Sequence, residues 1–285
     1  MRVKRATLLF FWDYDTQWGA DRSRSAGGPK SWGRLEFENT ERLLDLHAQY
    51  RVPACFAVVG AAALPGERPY HDPAQIRRIH EAGQEIASHS FRHEWLPSLD
   101  GPALRDTLSW SKDALEQCIG APVVSFVPPY NQPFDYLAGL SLSLSERRQT
   151  NGDRVNLRRL CNELRETGYR FCRVAYHPIH HRLGELVLGR PLNRPSRLEE
   201  IAGIMCLRLN APGGFDSGAL ERLSRCVEAG KIFAVYGHPH SLRSGNAQDE
   251  AWLVPFLQRV DHLRQRGLLE VQLPGRITRR MTCCE

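Results

Sequence analysis

An α/β barrel of seven to eight strands is the architecture this sequence predicts, and three observations predict it. About eight short apolar runs read as strands, and most are followed by a stretch with helical periodicity, the alternation that builds parallel βαβ units. The chain has 285 residues, close to the ~250 that one such barrel occupies. Asp13, Asp15, His89, Pro128, Tyr130, His177, Asn210 and His238 all stand at the ends of predicted strands, where a barrel of this kind collects its chemistry. No fixed-period repeat and no linker composition interrupts the chain, so residues 1–285 are read as one domain.

The first strand is Leu8 to Trp12, ending in Asp13-Tyr14-Asp15. In an extended run Asp13 and Asp15 face the same side, so one could hold a metal ion while the other takes a proton from water. Both are also turn formers that could cap the next helix. A polar Gly/Ser/Arg segment, residues 22–33, follows between Trp18 and Trp32. It reads either as a lid over the site or as a plain surface loop, with tryptophans that stack on a sugar ring or pin the loop. Asn39 reads as the cap of a helix carrying Leu43, Leu44, Leu46 and His47. Cys55 to Gly60 is apolar throughout and reads as a second strand buried on both faces. Asp72-Pro73 starts the next helix.

The third strand, residues 84–88, runs straight into His89-Ser90-Phe91-Arg92-His93. With a helix beginning at Ser90, His93 lies one turn beyond His89 and faces the same way. Two imidazoles so placed chelate one divalent ion, and a hydrolytic ion needs a third protein ligand plus an open position. The Asp13-Tyr14-Asp15 pair is the candidate source of that ligand. Further on come a helix over 102–118 and a strand over 123–126. Residues 134–165 are read as mostly helical. Strands over 169–175 and 204–209 bracket a Pro/Arg/Leu-rich insertion that carries no readable signal. A helix over 217–229, a strand over 232–236, a helix over 250–266 and a strand at 268–271 complete the chain. His177, His180 and His181 form a local cluster that reads as alternative ligands or as solvated surface, and Asn210 and Asp216 flank a Pro-Gly-Gly turn.

Composition narrows the class of protein. The chain is 42% hydrophobic and 25% charged, with net charge +6 and an isoelectric point near 9.0. Its arginines are scattered and no nucleic-acid-binding motif accompanies them. A mildly cationic surface is expected, with some attraction for acidic or phosphate-bearing substrates. The run after Met1-Arg2-Val3-Lys4-Arg5 is too short for a signal peptide and ends in aspartates. No run approaches the ~20 apolar residues of a membrane span, and a cytoplasmic location is expected. The eight cysteines are dispersed without a Cys-x-x-Cys pair and read as buried reduced thiols, with Cys283 and Cys284 in a frayed tail.

These motifs resemble the polysaccharide deacetylases, the NodB-homology or family 4 carbohydrate esterases. His89-Ser90-Phe91-Arg92-His93 matches that family's His-(Ser/Thr)-x-x-His motif, and Asp13-Tyr14-Asp15 its paired aspartates. Phe126-Val127-Pro128-Pro129-Tyr130-Asn131 stands where the family reads Arg-x-Pro-Tyr, and Phe233 to His240 fits its strand-then-histidine motif. The four come in family order and span roughly residues 8 to 240. The resemblance implies a distorted NodB-like (β/α) barrel with Asp15, His89 and His93 as ligands of one divalent ion. Zinc is expected, with cobalt, nickel, iron or manganese as alternatives. It implies Asp13 as base, His238 rather than His240 as acid, and a backbone oxyanion donor at Tyr130. Asn131, Trp18, Asn210 and His240 are further candidates for substrate contact. Val127 replaces the family arginine that holds the base aspartate, a departure that leaves the orientation of Asp13 unexplained. The activity implied is N-deacetylation of a small or nucleotide-linked amino sugar. Deformylation, hydrolysis of a cyclic amide and an inactive carbohydrate-binding barrel are the alternatives.

Overall fold

β1 (Ala6–Tyr14) is the longest strand among the described residues. In the computed structural model, which describes residues 5–23, 28–133, 155–175, 187, 196–209, 213–243 and 245–282, both faces of this strand are buried. Leu8, Phe10, Trp12 and Tyr14 join the core between sheet and helices, while Leu9 and Phe11 point the other way into a second cluster with Ala57, Ala87, Phe171 and Leu207. That two-sided burial is why the strand is apolar without alternation.

The strands β2 (Cys55–Val58), β3 (Glu85–Ser88), β4 (Ser125–Phe126), β5 (Phe171–Ala175), β6 (Arg197–Ile201), β7 (Ile204–Leu209) and β8 (Ile232–Gly237) complete a ring. Their order is β6-β7-β5-β4-β3-β2-β1-β8, parallel throughout except for the antiparallel β6–β7 pair. An antiparallel bridge between Ser196 and Ile232 brings the two ends together. The result is a nearly closed eight-stranded barrel. β9 (Leu269–Val271) pairs with β1 through Ala6 to Leu8, below the part of β1 that pairs with β2.

Helices α1 (Thr16–Arg22), α2 (Trp32–Tyr50), α3 (Pro73–Glu81), α4 (Gly101–Ile119), α5 (Leu157–Glu166), α6 (Ser217–Ala229) and α7 (Glu250–Gln265) follow the strands. Side chains of Asp72, Asp100, Asn156, Asp216 and Asp249 cap five of them. The last helix, α8 (Pro274–Thr282), puts Ile277 into the inner cluster, and Gly275 N donates to Glu85 Oε2 at 2.9 Å at the foot of β3. α8 therefore covers the N-terminal end of the barrel, and Asp13, His89 and His238 stand at the opposite end. No helix among the described residues is long and apolar enough to cross a membrane.

Four details differ from the sequence reading, each for a physical reason. The ring's eighth strand is β6, inside the insertion that had no readable signal, and not residues 268–271, which lie outside the ring. β6 is half-exposed and charged, and it returns to β7 through Ala202 and Gly203, both at positive φ (52° and 82°). That is hairpin geometry without its usual Asn-Gly signature. Second, α2 begins at Trp32 rather than at Asn39, which lies buried within it and donates to Pro239 O at 2.8 Å. Third, the chain after His89 turns without forming a helix, with Ser90 at φ 62° and His93 at φ 58°. Fourth, Asp216, beside the Pro-Gly-Gly turn, is the N-cap of α6 and accepts from Ala219 N at 3.0 Å.

The core contains one titratable group with a measurable signature. His47 accepts from Trp12 Nε1 at 2.7 Å, so its Nδ1 carries the proton donated to Val52 O at 2.7 Å. Burial pushes its pKa down from 6.5 to about 4. A depressed histidine contributes stability that is complete above pH ~6.5 and lost as pH falls towards ~4, on the order of 3 kcal/mol. Urea denaturation of wild type and His47→Gln across pH 7 to 4 should show that slope in wild type alone. Parallel pH dependences would contradict it.

Candidate active site

Three elements deliver three donors to one point. Asp15 follows β1 directly and is the N-cap of α1. His89 continues β3, with its N–H on Val58 O at 2.8 Å. His93 is returned by the turn that follows, which is pinned from below. Gly60 N donates to Ser90 O at 2.9 Å, Ala61 N to Phe91 O at 2.8 Å, and Ser111 Oγ to Ser90 O at 3.0 Å. Gly60 is obligatory there, since a Cβ would meet Ser111 Cα at 2.5 Å. Ligand atoms of Asp15, His89 and His93 all lie within 4.8 Å of one another, and the three residues are at most 9% exposed.

The hydrogen bonds fix what these donors present. His89 Nδ1 lies 2.7 Å from Val127 O, an acceptor only, so the proton is on Nδ1 and the Nε2 lone pair faces inward. Asp15 Oδ1 sits 3.3 Å from that Nε2 and 3.5 Å from Nε2 of His93, and it is buried without a hydrogen-bond partner. Lone pairs converging on one buried point are an arrangement that could hold a cation. The protonation behaviour agrees. Burial would lower the pKa of His89, but the hydrogen bond and charge of Asp15 and the charge of Asp13 raise it, so a proton is attracted to the place a metal would take. Burial also pushes His93 down to about 3, which leaves it neutral and ready to ligate. Burial opposes ionisation of Asp15, yet the two imidazoles hold it well below the usual carboxylate range. Two imidazoles and one carboxylate are a donor set suited to zinc and its neighbours.

Asp13 lies beside this cluster on the inner face of β1. It is 4% exposed and gripped end-on by Arg173 of β5, with Nη1 to Oδ1 at 2.8 Å and Nη2 to Oδ2 at 2.6 Å. Burial would raise its pKa, but the guanidinium overrides burial and lowers it. Arg173 Nη2 also donates to Asn131 Oδ1 at 3.1 Å, and the guanidinium lies 4.6 Å from the Tyr236 ring centre and 5.2 Å from that of Phe11. The arginine absent at Val127 is thus met by one from the next strand. His238 follows β8, its Nε2 4.0 Å from Asp13 Oδ2. Its backbone N–H and Nδ1 lie 2.8 and 3.1 Å from Gln248 Oε1, which orients the ring.

A polar face of α2 joins the parts. Glu36 accepts from Thr16 N and holds the turn just after Asp15, where Thr16 has φ 55°, an outlier for a β-branched residue. Four residues before Glu36, Trp32 stacks on His240 with ring centres 4.3 Å apart, and Asn39 holds Pro239. His240 is a packed residue beside His238, its pKa lowered by burial. Tyr130 (φ 57°) sets its ring 4.6 Å from that of His93 and donates from its hydroxyl to Arg22 O at 2.7 Å. Trp18 packs on Tyr70 and His71. Asn210, His177, His180 and His181 lie outside the described residues.

The sequence reading missed Arg173, Glu36 and Gln248. Arg173 left a trace: it is the one charge in Phe171-Cys172-Arg173-Val174-Ala175, and strand alternation turns it inward with Phe171. Glu36 and Gln248 left none, being a helix acid and a loop amide of ordinary type.

Comparison with known proteins follows the same lines. Residues 30–142 match the family model for polysaccharide deacetylase. A bifunctional xylanase/deacetylase of Pseudobutyrivibrio xylanivorans is 28% identical over 91 residues, a match that takes in 32% of this chain and only 14% of that protein's length. Among solved structures, one from Mycobacterium smegmatis described as a polysaccharide deacetylase superposes with a TM-score of 0.66 at 18% identity, covering 99% of this chain and 91% of that one. The Puue allantoinase gives 0.61 at 16%, covering 98% and 90%. A Pseudomonas aeruginosa PAO1 structure, also described as a polysaccharide deacetylase, gives 0.61 at 16%, covering 96% and 90%. At these identities the structural likeness is one of fold, and it extends over nearly the whole chain. Over residues 30–142 in sequence, and in the fold of its barrel, the chain is similar to the polysaccharide deacetylases.

Proposed function

We propose that the protein is a metal-dependent amide hydrolase that removes the acyl group from a small N-acylated substrate, an N-acetyl amino sugar first among them. The observation that carries this is the convergence of Asp15, His89 and His93 on one point beside an ionised Asp13 and the imidazole of His238. A divalent ion bound there, zinc by its donor set, supplies Lewis acidity to the acyl oxygen and acidifies a water. Asp13 is the base that accepts the proton of the attacking water. Arg173 keeps it ionised and aims it. The backbone N–H of Tyr130 is the oxyanion donor. His238, protonated at Nε2 and anchored through Nδ1 to Gln248, hands a proton to the departing amine, which is otherwise too basic to leave.

The test is a screen of zinc-loaded protein for acyl release from N-acetyl and N-formyl amino sugars, with allantoin included because one fold neighbour is an allantoinase. Turnover of an N-acyl sugar, abolished by Asp13→Asn, is expected. Release from none of these, with metal bound, would make the barrel a binding scaffold.

A further inference from the structure

We propose that the substrate also carries an anionic group, a phosphate or a carboxylate, and that the guanidinium groups of Arg22 and Arg92 receive it beside Trp18 at the rim of the site. This rests on the amide-hydrolase reading and names its substrate class.

All three residues are tied to the metal cluster. Trp18 stands on α1 one turn beyond Asp15, and Arg92 lies in the turn between His89 and His93. Arg22 ends α1, and its carbonyl receives the hydroxyl of Tyr130, whose ring packs on His93. The Arg22 and Arg92 guanidinium carbons lie 5.7 and 5.3 Å from the centre of the Trp18 ring. Cation–π contact with one indole gathers both side chains at Trp18.

The pair shares one indole and has no acid between its members. Several other surface arginines engage carboxylates, among them Arg42 with Glu250, Arg68 with Asp72 and Arg105 with Glu163 and Glu166. Among the described residues neither Arg22 nor Arg92 has such a partner. The acids close by are mostly committed elsewhere. Asp21 accepts from Gln17, Lys30 and Tyr70, and both oxygens of Glu94 accept from the backbone N–H of Arg92. Glu67 is the remaining carboxylate, in the cleft that Trp18, Arg22 and Tyr70 line.

Two like charges gathered at one ring repel unless an anion lies between them. Forked guanidinium donors match the oxygens of phosphate and carboxylate. The polarity of the site then orients the substrate, with the acyl group inward at the metal cluster and the anion outward at the rim.

Calorimetry on zinc-loaded wild type, with N-acetylglucosamine, its 6-phosphate and N-acetylmuramic acid as probes, tests this apart from turnover. At least tenfold tighter binding of the 6-phosphate or of the carboxylate-bearing sugar is expected, and which of the two identifies the anion. The Arg22→Gln/Arg92→Gln variant, shown by circular dichroism and metal content to be folded and loaded, should erase the difference, as should high salt. Absence of a preference, whether all three probes bind alike or none binds, overturns the proposal, as does a preference that survives in the double variant. Acetate release, followed in parallel, reports on the hydrolase reading separately. Release from the neutral sugar without any anion preference would leave that reading standing and remove this one.

Discussion

Arg173→Met is expected to destabilise the protein by about 3–5 kcal/mol, because it leaves the Asp13 carboxylate buried without its partner. Equilibrium urea denaturation at pH 7 reads this directly. Restoring neutrality with Asp13→Asn in the same chain should recover much of the loss, since removing a buried pair costs less than orphaning one member of it. Activity separates this from a purely structural role. Wild-type Asp13 has a depressed pKa, so the stability it contributes is present above the ordinary aspartate range and is lost as pH falls below it. Without Arg173 the desolvation of Asp13 is opposed only by His89 and His238, and its pKa rises. The acid limb of kcat/KM in Arg173→Met must therefore move to higher pH. A variant with wild-type stability and an unmoved acid limb would show that the Arg173–Asp13 pair neither supports the barrel nor tunes the base.

His238→Ala is expected to lower kcat by about 10² to 10⁴ with metal content and folding retained, the usual range for loss of a general acid. The loss should depend on the leaving group. An amide nitrogen cannot depart without a proton, whereas the phenolate of a nitrophenyl acetate can, so the ester should suffer far less. Equal losses on both would remove His238 from the acid role. Gln248→Ala, which only frees the ring, should give a smaller decrease of the same kind.

How much of this was legible in the sequence depends on whether the signal was local. β1, β3 and β8 are apolar runs ending in Asp13, His89 and His238, and each could be read because its burial and its chemistry adjoin in the chain. β6 could not, because an edge strand facing solvent has no apolar pattern and its pairing with β7 is specified by a turn. The start of α2 was missed because its inward face is polar. Glu36, Asn39 and Thr40 are buried polar residues, with Glu36 and Asn39 holding site loops, so before Leu43 the only core-facing apolar residue among the helix's buried positions is Phe37. The spacing of His89 and His93 pointed to convergence on one point, but by the wrong route. Two left-handed residues in a pinned turn bring them together, where a helical turn was expected. Arg173 is the instructive case. It performs the task expected of a residue at Val127, and only the barrel's closure shows that β5 can reach Asp13 from the neighbouring position.

The central claim is that Asp15, His89 and His93 hold one divalent ion. Elemental analysis of purified wild type, after incubation with zinc and removal of excess, tests it most directly, beside Asp15→Ala, His89→Ala and His93→Ala checked for folding by circular dichroism. The account predicts about one ion per chain in wild type and a loss in each of the three variants. No ion retained by wild type, or an ion retained by all three variants, would contradict it.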